Sequence, residues 1–72
     1  NELFVDRLFK VDCDFKKSGL KIADIENLIK GSGGFITNKD NVKIDILITQ
    51  NESIEGNFEM WSEDTFLTNL SK

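Results

Sequence analysis

The stretch Leu20–Thr49, LKIADIENLIKGSGGFITNKDNVKIDILIT, decides how this chain is read. Ile22, Ile25, Leu28 and Ile29 recur at helical spacing, and Gly33-Gly34 follow the periodic run. Phe35-Ile36-Thr37 starts a strand. After the polar loop Thr37–Asn41, Val42, Ile44, Ile46 and Ile48 alternate with Lys43, Asp45, Leu47 and Thr49, which is strand periodicity. A helix stopped by glycines between short strands predicts a small α/β recognition domain, with no catalytic constellation in view. One glycine is expected to take a left-handed cap, and the other to let the chain approach the next strand closely. A phosphate loop does not fit: such loops precede a helix and offer it an anion, whereas these glycines follow one.

Working outward, Phe9, Val11, Cys13 and Phe15 alternate with Lys10, Asp12 and Asp14, predicting a first strand over Phe9–Phe15. Lys16-Lys17-Ser18-Gly19 reads as a turn with Ser18 as helix N-cap. Asp24 and Glu26 lie early in the helix and Lys30 late, as its dipole favours, and Glu26–Lys30 is an i,i+4 pair. Gln50–Asn57 (QNESIEGN) is a second connection of only eight residues. Parallel crossovers usually take a dozen or more, so any helix there must be stunted. Phe58–Trp61 reads as the last strand. Ser62 then caps a final helix containing Phe66, Leu67 and Leu70, with Glu63 and Asp64 in its first turn.

Length and composition set the bounds. Seventy-two residues make one small domain, spanning 1–72, with a core drawn from six Phe, one Trp and the aliphatic set. The opening at Asn1, with charges close behind, suggests a piece of a longer protein. One cysteine and no histidine exclude an internal disulfide, a Cys/His zinc site and His-dependent catalytic triads. A lone Cys13 fits a reducing compartment. No apolar run approaches the ~18 residues of a membrane span. The formal net charge is −4, all of it beyond Ile46, where Lys72 alone opposes Glu52, Glu55, Glu59, Glu63 and Asp64. Direct nucleic-acid binding relies on Lys and Arg neutralising phosphates, and this balance opposes it. Asp12 and Asp14 share a strand face without a cleft to shift them, so general acid–base work is not expected. The spacing of Asn38, Asp40 and Asn41 lacks the distal acid of a calcium loop.

In order and at its junctions the chain resembles a BRCT domain. The likeness rests on Leu8-Phe9-Lys10-Val11, on Ile25–Ile36 with its amphipathic helix and Gly-Gly, and on Lys43-Ile44-Asp45-Ile46-Leu47-Ile48. The opening through Asp14, with Ile25-Glu26, is also faintly similar to BRCT regions of end-joining DNA ligases. Two departures stand out. The family's last helix usually carries a Trp three residues after a Ser, where this chain has Thr65 beside Phe66, with Trp61 earlier; and the middle helix is shortened.

The resemblance implies a mainly parallel sheet of about four strands flanked by helices, with the middle helix stunted or absent. It implies a protein–protein interaction module of a nuclear DNA-repair, checkpoint, replication, chromatin or telomere protein, without enzymatic activity or cofactor. Gly33, Gly34 and Phe66 take structural roles. Family members that bind phosphopeptides carry Ser/Thr-Gly after the first strand and a middle-helix Lys. Here Asp12-Cys13-Asp14 occupies the first place, and Gln50–Asn57 holds no basic residue, so phosphate-independent recognition is expected. The alternatives are phosphopeptide or DNA-end binding through Lys16, Lys17, Ser18 and Gly19, or a docking appendage of a ligase or polymerase. Trp61, Glu59 and Glu63 are candidate partner contacts, although in so small a core Trp61 favours burial.

Overall fold

The computed structural model describes residues 1–72. Its centre is strand β1 (Leu8–Asp12), followed by helix α1 (Ile22–Gly31), strands β2 (Phe35–Ile36), β3 (Ile46–Thr49) and β4 (Glu59–Trp61), and helix α2 (Glu63–Leu70). The strands form one sheet in the order β2-β1-β3-β4, every neighbouring pair parallel. This is the small parallel α/β arrangement with flanking helices expected from the sequence, and no helix forms between β3 and β4.

Register sorts the side chains between two faces. Phe9 lies opposite Ile36 and Ile46, and Ile48 opposite Trp61. These point toward the helices, where Phe4, Phe15, Ile25, Ile29 and Phe66 complete a buried core with partly buried Ile36 packed against it. Five aromatic pairs knit that core: Phe4 stacks on Phe9 at 5.2 Å, and edge-on contacts of 5.3–5.9 Å link Phe4, Phe9 and Phe15 to Trp61 and Phe66. Each such pair contributes about 0.5–1.5 kcal/mol beyond area burial. Trp61 and Phe66 thus share the aromatic role near the last helix, while Thr65 is exposed.

The junction after α1 uses its two glycines differently. Gly33 sits at φ +94°, its N–H donating to the Lys30 carbonyl (3.1 Å) while that of Gly34 donates to Ile29 (3.0 Å). That pair of bonds is a Schellman cap. At Gly34 a Cβ would lie 2.8 Å from Ile29 Cγ2 and 3.2 Å from the Phe4 carbonyl oxygen, so close approach is what demands glycine there.

Several boundaries differ from the sequence reading. β1 stops at Asp12 rather than Phe15, because Phe15 adopts φ +51° and turns into the core. The N-cap of α1 is Lys21, not Ser18; the Ser18 hydroxyl is held in the preceding turn, donating to the Phe15 carbonyl at 3.3 Å. Ile22 and Leu28 remain partly exposed, so the buried stripe of α1 narrows to Ile25 and Ile29. β3 begins at Ile46, since Val42–Asp45 belongs to the incoming crossover. Leu47 and Thr49 are buried although alternation pointed them outward, because loop segments flank this inner strand on its second face.

The handedness of parallel crossovers explains the second cover. β1→β2 and β3→β4 step in opposite directions across the sheet, so right-handed connections must lie on opposite faces. α1 takes the core face. The β2→β3 loop (37–45) and the β3→β4 crossover (50–58) cross the other, where Lys10 reaches up to Asp40 at 2.7 Å.

Candidate functional site

The carboxyl ends of β1, β3 and β4 form the first place to look, because the strand order reverses between β1 and β3 and open α/β sheets bind ligands at such points. Cys13, Asp14, Gln50 and Ser62 border a cleft of about 430 Å³ there, together with the expected anion contacts Lys16 and Lys17. The cleft is already satisfied from within. The Ser18 N–H donates to the Glu63 carboxylate at 2.6 Å, and Gly19 N–H donates to the Phe15 carbonyl at 2.9 Å. Lys17 pairs with Asp64 at 3.3 Å and Lys16 with Asp14 at 3.6 Å. Gln50 Oε1 accepts from the Asp14 N–H at 3.3 Å and from the Cys13 thiol at 3.6 Å. A carboxylate therefore already holds the Ser18 amide, and an incoming dianion would meet Asp14, Glu52, Glu63 and Asp64 around two lysines.

The candidate partner contacts are largely withdrawn. Trp61 is only 2% exposed and its indole N–H donates to the Glu59 carboxylate. Glu63 is 8% exposed and spent on the Ser18 amide. Trp61 and Glu63 thus offer little surface to a partner: the indole packs in the core, as so small a domain favours, and Glu63 holds the Ser18 turn. Glu59 stays exposed but is tethered to Trp61. No cluster of His, Cys, Asp and Glu suited to a metal ion is present, and no helix is long and apolar enough to cross a membrane.

A second place lies on the face away from the helices. The loop 37–45 and the crossover 50–58 stand as two walls on the sheet, with a groove of about 290 Å³ between them. Leu47 forms the floor, and Val42, Ile44, Ile54 and Phe58 line its sides. The loop wall carries Lys39 and Lys43, neither in an ion pair, beside the Lys10–Asp40 bridge. The Lys10 ammonium, by hydrogen bond and then by charge, lowers the Asp40 pKa below its ordinary 3.8. The opposite wall carries Glu55, and Asp12 closes the strand end; neither has a salt-bridge partner. Register carries the apolar surface past the groove, since Met60 lies beside Leu47 and Phe35 beside Leu8, and these two are 39% and 57% exposed.

Sequence reasoning located the lysines of the first place but missed the groove. The available signal was the eight-residue second crossover, which is too short to roof a sheet face that a parallel array needs covered. No protein-family model, curated protein or solved structure matches the chain.

Proposed function

We propose that the chain is a non-enzymatic protein–protein interaction module of the BRCT type, serving a nuclear genome-maintenance or chromatin protein and recognising its partner without phosphate. The central β1 and the helix closed by Gly33-Gly34 support this reading. The observation that carries it is the pre-emption of the anion position: the Ser18 amide is held by Glu63, and Lys16 and Lys17 face their own carboxylates. What is left for recognition is the groove between the 37–45 loop and the 50–58 crossover, with Val42, Ile44, Ile54 and Phe58 along its sides.

Affinity capture from nuclear extract tests the reading, using the wild-type chain and a Lys16→Glu/Lys17→Glu variant, with and without phosphatase treatment. Partners retained in all four conditions are the expected result. A partner set lost on phosphatase treatment and lost again in the variant would replace this reading with phosphopeptide binding.

A further inference from the structure

We propose that the groove between the 37–45 loop and the 50–58 crossover receives an amphipathic helix of a partner protein, one acidic flank against Lys39 and Lys43 and one basic flank against Glu55 and Asp12. This rests on the interaction-module reading and names the partner chemistry of its open face.

Three observations select that occupant. The floor is a sheet face, whose N–H and C=O groups are spent sideways on neighbouring strands, so an arriving segment finds no backbone partners and must satisfy its own. A helix does so; an extended peptide does not. The apolar lining is narrow and recessed, with Leu47 at its base and Val42, Ile54 and Phe58 along the sides, which suits side chains at i and i+4 on one helix face. The walls then differ in sign. Lys39 and Lys43 stand without ion-pair partners on one, while the other carries Glu55 and no basic residue. A helix whose apolar ridge is edged by acids on one side and bases on the other meets both walls, much as flanking charges select partners in coiled coils.

The test uses the whole 72-residue chain, isotope-labelled, and two alanine-based helical peptides with leucines at i and i+4. One peptide bears glutamates on one flank and lysines on the other; the second bears lysines on both. The mixed peptide is expected to shift amide resonances of Val42–Leu47 and Ile54–Phe58 and to bind wild type more tightly than the all-lysine peptide. Lys39→Glu/Lys43→Glu, two exposed changes that leave the core alone, should weaken the mixed peptide about tenfold and reverse the preference. Shifts confined to other surfaces, or an unchanged preference in the variant, would overturn the proposal. Groove resonances that move with protein concentration in the absence of peptide would assign the face to a second copy and also overturn it. None of these results bears on the phosphatase experiment, so the two readings fail separately.

Discussion

Three glycines within four positions should respond to alanine with different signs. Gly31 ends α1 at negative φ and a Cβ there meets nothing within 4 Å. Gly31→Ala removes unfolded-chain entropy without strain and should stabilise by about 0.4–1 kcal/mol. Gly33→Ala must hold φ +94°, and its Cβ would press on Val5 Cγ2 at 2.9 Å. Val5 is half-exposed and can move, so the cost is mainly the backbone's, about 1–2 kcal/mol. Gly34→Ala has ordinary φ but meets Ile29, Phe9 and the Phe4 carbonyl, two of them fully buried side chains and the third a backbone atom. None can retreat cheaply, and overpacking should cost about 1–3 kcal/mol. A domain of this length holds only roughly 4–11 kcal/mol in total, so the differences are large. Urea denaturation followed by Trp61 fluorescence and helical circular dichroism reads them directly. With a slope near the lower end for small proteins, about 1 kcal/mol per molar, the Gly34→Ala midpoint should fall by roughly 1–3 M while that of Gly31→Ala rises. Equal shifts at the three positions, or an unmoved midpoint for Gly34→Ala, would refute the close helix-to-strand junction.

Other expectations follow from the same geometry. Phe66→Ala empties a fully buried site packed edge-on against Phe4 and Phe15 and should cost about 3–5 kcal/mol, leaving little or no cooperative transition in thermal melts. Glu63→Gln replaces a charge-assisted acceptor for the Ser18 amide with a neutral one and should lower stability by about 1–2 kcal/mol, while inorganic phosphate added to wild type leaves the amides of Lys16–Gly19 unshifted. The Asp40 carboxylate should titrate below its ordinary 3.8 by carbon-detected NMR, and Lys10→Met should return it there. Because the folded-state value is the depressed one, the pair's small stabilising effect is present above the ordinary aspartate range and fades as pH drops through the lowered midpoint.

What the sequence revealed, and what it concealed, divides along physical lines. The helix and its glycine stop were legible because Ile25, Ile29 and the Gly-Ser-Gly-Gly run encode local periodicity and a local cap, while the parallel arrangement followed from the resemblance to BRCT domains. A structural role for Phe66 was expected only through the resemblance to BRCT domains, with Trp61 as the alternative, and both are buried. The strand limits were not legible: β1 ends at Asp12, and Phe15 beyond it turns inward at a positive φ that nothing adjacent in the sequence demands. Nor was the inward fate of Leu47: it depends on two segments that are separate in sequence and stand on either side of one strand. The charge arithmetic around Lys16 and Lys17 was correct in sign but blind to pairing. Glu63 reaches Ser18 across 45 positions, a contact only the closed fold creates.

The most direct measurement is the set of backbone NOEs and cross-strand hydrogen-bond couplings around β1. The account requires Phe9 to sit between Ile36 and Ile46, Ile48 beside Trp61, and every neighbour running in the same direction. Antiparallel contacts between these segments, or a β1 with a neighbour on one side only, would contradict both the two-faced sheet and the groove it leaves open.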